Sequence, residues 1–182
     1  MSILRSIIPI NLISQSKEYA NVMKKRTQMD YYRERGAPDE ILKLVSMNNK
    51  TYGTGFMEAY IRSHFGMINP VNSEHDGIYM GKKFEIKAPR FGSNGDYFIQ
   101  HIKPNHDFDY FLIALLQPSG IETSIVRKSD MYEYLKLQKG EGYFLRKKDI
   151  ETISHGVNNE EDLKAFIHNE LKVSFLNNYV RT

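Results

Sequence analysis

The alternation of apolar and polar positions divides the chain into helix-period segments at both ends and strand-period segments in the middle. From Ser14 to Arg35, Tyr19, Val22, Met23, Met29 and Tyr32 form an imperfect helical stripe, with Ser16 as N-cap and Gly36 as stop. A second helix is expected to start at Pro38. Asp39 and Glu40 suit its positive N-terminal end, Ile41, Leu42, Leu44 and Val45 its buried side, and Asn48-Asn49 its end. The third is predicted from about Gly55 to His64, capped by Thr54 and closed by Gly66.

Beyond it the period changes to two. Ile78-Tyr79-Met80 and Phe84-Glu85-Ile86-Lys87-Ala88, joined through Gly81 and two lysines, predict a hairpin. Gly92-Ser93-Asn94-Gly95 reads as a turn, and Asp96 to Lys103 as a short helix or an extended connection ended by Pro104. The continuous apolar run Tyr110 to Leu116 has the composition of a strand buried on both faces. Ile121 to Val126 is expected to pair with it. A helix from Ser129 to Leu137 follows, then a short edge strand at Gly142 to Leu145 with a basic tip at Arg146-Lys147-Lys148, and a last amphipathic helix from Glu160 to Tyr179.

Length and composition add bounds to this pattern. The 182 residues suit one α/β domain, in which 1–50 supply N-terminal helices, 51–127 the core and 128–182 a C-terminal helical part. Without cysteine there is neither a disulfide framework nor a thiolate metal site. The early apolar stretch is broken by Pro9 and Asn11 and is too short for a signal sequence or a membrane span, so a cytoplasmic protein is expected. A formal net charge of +3 is compatible with a polyanionic partner. The run Lys24-Lys25-Arg26 with Arg33 and Arg35 reads as a solvated helix face.

The chemistry lies in the hairpin. Residues two apart on a strand share a face, so Glu85 and Lys87 project together while Phe84, Ile86 and Ala88 face a core. Folding at Gly81 brings Asp76 back beside Glu85, giving two carboxylates and an ammonium on one surface. Close carboxylates repel, and a small hard cation such as Mg²⁺ relieves this while retaining waters and bridging to phosphate oxygens. Lys87 beside such an ion is suited to steady a phosphate oxygen or an attacking water, as in phosphodiester hydrolysis.

Asp76, a spacer and then Glu85-Ile86-Lys87 resemble the PD-(D/E)xK nuclease superfamily, which includes most type II restriction endonucleases. The resemblance covers Glu58 to about Gln117. It departs from the pattern at Pro70, which is separated from Asp76 by five residues instead of adjoining it, and Glu74 is a second candidate for the first acid. The resemblance implies a mixed central sheet flanked by helices. It also implies Mg²⁺, with Mn²⁺ as a substitute, held by Asp76, Glu85, the Ile86 carbonyl and Glu58, and Lys87 as the residue at the water. Glu58 reads equally as a surface helix glutamate. His101 is placed near the scissile phosphate or is a structural histidine, and Arg90, Gln100, Lys103, Lys82 and Lys83 become candidate DNA contacts.

Nothing in the sequence matches a helix-turn-helix or zinc-finger reader. A compact catalytic domain lacking one resembles the small subunit of a heterodimeric type IIS restriction endonuclease, which cuts one strand of double-stranded DNA while a larger subunit recognises the site and nicks the other. A stand-alone homodimeric type II enzyme and a catalytically dead DNA-binding subunit are the alternatives.

Overall fold

The structure is a computed structural model that describes residues 26–140 and 142–179, with side chains described as far as residue 172. Its helices are α1 (Gln28–Arg33), α2 (Asp39–Ser46), α3 (Asn49–Tyr52), α4 (Glu58–His64), α5 (Lys128–Met131), α6 (Lys147–Ile153) and α7 (Glu160–Tyr179). The strands are β1 (Gly77–Tyr79), β2 (Lys82–Lys87), β3 (Phe98–Ile102), β4 (Tyr110–Gln117), β5 (Gly120–Arg127), β6 (Lys136–Gln138), β7 (Gly142–Arg146) and β8 (His155–Gly156).

Five strands form a mixed sheet in the order β1-β2-β4-β5-β8. Its pairs are antiparallel except for β2 and β4, which run parallel from Phe84↔Tyr110 to Lys87↔Ile113. The expected hairpin forms with a two-residue loop, Tyr79 pairing with Lys82, and Met80 and Gly81 both take positive φ, 49° and 75°. Two positive φ values in a two-residue loop match the right-handed twist of the flanking strands. Met80 adopts this conformation despite its Cβ, and glycine follows it where the demand is greatest.

The run at β4 is buried from Tyr110 to Leu116, as its unbroken apolar character predicts, and β5 pairs along its whole length. Helices cover the sheet. Phe166 of α7 meets the Tyr110 ring edge-on at 5.8 Å, and Glu170 of α7 takes two hydrogen bonds from Arg127, at 2.6 and 2.7 Å. Leu163 and Ile167 of the same helix are fully buried. From α1, the Tyr32 hydroxyl donates to the Leu116 carbonyl at 2.5 Å and accepts the Phe91 N–H at 3.1 Å. Burial pushes that hydroxyl up to about 12. It thus serves as a fixed bridge between the end of β4 and the segment leaving β2.

Several expectations change. The helix expected from Ser14 does not run unbroken to Arg35, because Thr27 is extended and starts a new helix at Gln28. Its hydroxyl accepts the Asp30 N–H while the Asp30 carboxylate takes the Thr27 N–H, a reciprocal cap. The Ser16 cap lies outside the described residues. Thr54 caps nothing. The Asn48 side chain accepts the Thr51 N–H at 2.9 Å, and the chain stays helical from Asn49 to His64 through a π-helical turn at Gly53–Met57.

The segment 96–103 is neither helix nor plain connection. It contributes β3 to a second, three-stranded antiparallel sheet ordered β3-β7-β6. The helix expected over Ser129–Leu137 stops at Met131, and β6 takes over at Lys136. The strand expected at an edge, β7, is the centre of this small sheet. The basic tip instead begins α6, where Arg146 is held by Asp149 at 2.9 Å and Lys147 lies over the Phe91 ring. The C-terminal part expected to be helical therefore also contains β6, β7 and β8.

Candidate functional site

The register Gly77↔Phe84 places Asp76 opposite Glu85 on the same face of the hairpin, and the Asp76 N–H continues the ladder to the Phe84 carbonyl at 2.7 Å. Asp76 bends over the partner strand, its Oδ2 accepting the Ile86 N–H at 2.8 Å. Two residues along β2 from Glu85, the Lys87 ammonium contacts the Glu85 carboxylate at 2.7 Å, with both side chains largely buried. The two acids and the lysine singled out in the sequence therefore converge.

Burial pushes the Asp76 carboxyl up to about 7, and the carboxylates of Glu85 and Glu58 push in the same direction. The Ile86 N–H and the Lys87 ammonium oppose this without cancelling it. Glu58, at the start of α4, thus lies within electrostatic reach of Asp76. The π-helical turn before it sets the azimuth from which it projects, and such turns recur at functional sites.

A second link between α4 and the acid went unread in the sequence. Arg62, one turn beyond Glu58, donates from Nη1 to the Asp76 carbonyl at 3.0 Å. Immediately after Asp76, Gly77 is so closely covered that a Cβ there would lie 3.0 Å from Met67 Sδ and 3.3 Å from Arg62 Cγ. The spacing Glu58-x-x-x-Arg62, which puts both side chains on one helix face, was the available signal.

Beside the hairpin a cleft of about 740 Å³ runs between the two sheets. Glu58, Ile86 and Lys87 line one side and Phe98, Gln100 and His101 another, with Tyr52 and Arg90 also in the wall. Asp76 and Glu85 are not part of its lining, so Lys87 and Glu58 connect the carboxylate pair to the open space. His101 has φ 55° at a break in the β3–β7 register between Ile99 and Ile102, a bulge that re-aims its exposed side chain. Gln100 precedes it, half-buried.

The candidate DNA contacts divide. Arg90 is turned into the protein: its Nη1 donates to the carbonyls of Leu44, Val45 and Met47 at 2.9–3.1 Å, closing the C-terminal end of α2. Its guanidinium also stacks over the Tyr52 ring at 4.5 Å. These contacts give it a structural task in place of the phosphate contact expected. Lys82 and Lys83, expected in the turn, instead open β2, where their side chains pair with Asp109 and Asp107 and not with the carboxylate pair. Lys103 is exposed just past β3, and Glu74 is exposed in the loop before His75. Asp76, unlike Glu74, is the acid that the ladder delivers to Glu85.

Two acids with a main-chain carbonyl are an all-oxygen donor set, which selects a hard cation. Among the described residues no group of three or more His, Cys, Asp or Glu side chains is arranged around a common point to hold an ion. Mg²⁺ uses one or two carboxylates and completes its shell with water and substrate phosphate. Asp76, a buried carboxylate strained by two other acids, fits such an ion.

No protein-family model matches the chain, and no curated protein matches it in sequence. The reading of function rests on the geometry of the site and the resemblance of its motif.

Proposed function

We propose that this protein is a Mg²⁺-dependent endodeoxyribonuclease of the PD-(D/E)xK type that hydrolyses one strand of double-stranded DNA, placed on its site by a larger recognition subunit. The observation that carries the reading is the convergence of Asp76, Glu85 and Lys87 on one face of the hairpin, with Lys87 reaching the wall of the cleft.

Asp76 and Glu85, with the Ile86 carbonyl, would hold the ion, and Glu58 adds negative charge from α4. When bound, the ion supplies a Lewis acid at the phosphate and lowers the pKa of a water. Lys87 holds its ammonium at the cleft wall through Glu85, where its remaining N–H groups orient the water or a non-bridging phosphate oxygen. The water oxygen attacks phosphorus in line as the opposite P–O ester bond breaks. Arg62 and the Ile86 N–H fix both ends of Asp76, its main chain and its carboxylate, so the acid has little freedom to leave this geometry.

The need for a partner follows from magnitudes. Specific sites are bound about 4–10 kcal/mol more tightly than random DNA, through base and shape contacts. A net charge of +3 supplies only the sequence-independent part. The test is strand-resolved cleavage of a labelled duplex with Mg²⁺, by the chain alone and with its neighbouring gene product. Cutting of one defined strand only in the mixture supports the proposal. Double-strand breaks at a palindrome by the chain alone replace it with a homodimeric enzyme, and DNA binding without any cleavage replaces it with a dead subunit.

A further inference from the structure

We infer that the outer face of the small sheet β3-β7-β6 is the surface on which this chain holds duplex DNA beside the cut. The inference rests on the nuclease reading above and assigns a place to its substrate. Register fixes which residues share the face. Ile99 pairs with Leu145 and both are buried, so the neighbouring pair Phe98↔Arg146 points the other way. Phe144, two residues from Arg146, pairs with Lys136, which brings both to the same face. That face therefore interleaves aromatic and cationic side chains across three strands. Phe98, half exposed, stands at the lip of the cleft that Lys87 enters.

Charge selects the occupant. Residues 96–103 and 136–149, which make up this sheet and its flanks, contain six Lys or Arg against three acids, of which Asp149 and Asp96 act on Arg146. The whole chain is nearly balanced, 25 against 22. An excess of positive charge beside a cleft whose other wall is lined by Glu58 and Lys87 matches a polyanion extending out of that cleft. Lys139 is exposed at the β6–β7 turn, on the side of the sheet away from β3. Arg146 is committed to Asp149, which lies within electrostatic reach of Lys136 as well; Lys136 and Lys139 are offered to phosphate and Phe98 to apolar contact with sugar or base.

Binding is measured in EDTA, so that no cleavage occurs, on a short labelled duplex over a range of salt concentrations. The variants are Lys136→Gln/Lys139→Gln, Phe98→Ala and the control Lys164→Gln on α7, each checked for an unchanged thermal transition. The lysine pair should weaken binding at least about tenfold and reduce the slope of log K against log salt by about 2, one phosphate contact each. Phe98→Ala should weaken binding with the slope intact, and Lys164→Gln should do neither. Affinity unchanged in both test variants overturns this inference even if the protein cuts DNA. So does tighter binding to the corresponding single strand. Weakened binding by a protein that cuts nothing under any condition supports the docking face and removes the nuclease reading instead.

Discussion

Arg62 donates to the main-chain carbonyl of Asp76 at 3.0 Å and so ties the helix that begins with Glu58 to the entrance of the hairpin that carries Glu85 and Lys87. Three separate stretches of sequence are thereby held in one frame.

Glu85→Ala and Lys87→Ala should each lower cleavage by about 10²–10⁴-fold in the complete assembly, the range typical of removing a positioned proton-transfer or water-orienting group. Both side chains keep some contact with solvent on a strand face, so the fold, read by circular dichroism, should be retained, with thermal melting lowered by the loss of one partner of the ion pair. Full activity of either variant would sink the assignment.

The metal-free protein should lose stability as pH rises. Asp76 has its carboxyl raised to about 7 in the fold, above its ordinary value of 3.8, so the folded state holds a proton that the unfolded state releases. That contribution is whole below about pH 4 and fades through about pH 7, amounting to a few kcal/mol at most. Denaturant titration in EDTA should show the wild type weaker at pH 8 than at pH 5, with Asp76→Asn flattening the dependence. Mg²⁺ should stabilise the wild type at pH 8 and leave Asp76→Asn unmoved.

Arg90→Met should destabilise the fold by about 1.5–3 kcal/mol, because the last carbonyls of α2 lose a charged donor inside the protein. Arg90→Lys should recover little of this, since one ammonium cannot reproduce a planar fork that also stacks on Tyr52. If instead the loss appears only in DNA affinity, with the melting transition intact, the phosphate-contact role returns.

Gly77→Ala should impair cleavage more than stability. The added methyl meets Met67 Sδ at 3.0 Å and Arg62 Cγ at 3.3 Å, so these side chains must give by a few tenths of an ångström, and a shift of Arg62 disturbs its bond to the Asp76 carbonyl. A destabilisation of about 1–3 kcal/mol is expected from such overpacking. Crystallographic displacement of Asp76 from the Ile86 N–H would confirm the route.

The hairpin, β4, β5 and α7 were legible because each obeys a single rule. Glycine marked the turn, and unbroken apolar character marked a strand covered on both faces. Of the small sheet only β7 was legible, since β3 is broken in register and β6 is three residues long, and each pairs only with β7, which lies between them. No local pattern announces that dependence. The place Arg90 takes was not legible for a related reason: a guanidinium suits phosphate and helix carbonyls equally well, and its bonds to the end of α2 come only from the packing of that helix against the segment after β2. The sequence placed Asp76 near Glu85 only through a fold at Gly81; the pairing that sets the two opposite each other depends on Lys82 and Lys83 belonging to β2 and not to the turn, where they were expected.

The parallel alignment of β2 with β4 also constrains how the molecule is made. A parallel pair cannot close through a tight turn, and here the chain between Lys87 and Tyr110 first visits the small sheet before it returns. The hairpin can assemble from neighbours in sequence, on a microsecond scale, whereas its seating on β4 must wait for the closure of a long loop. During synthesis Asp76, Glu85 and Lys87 therefore emerge before the strand on which the hairpin is seated.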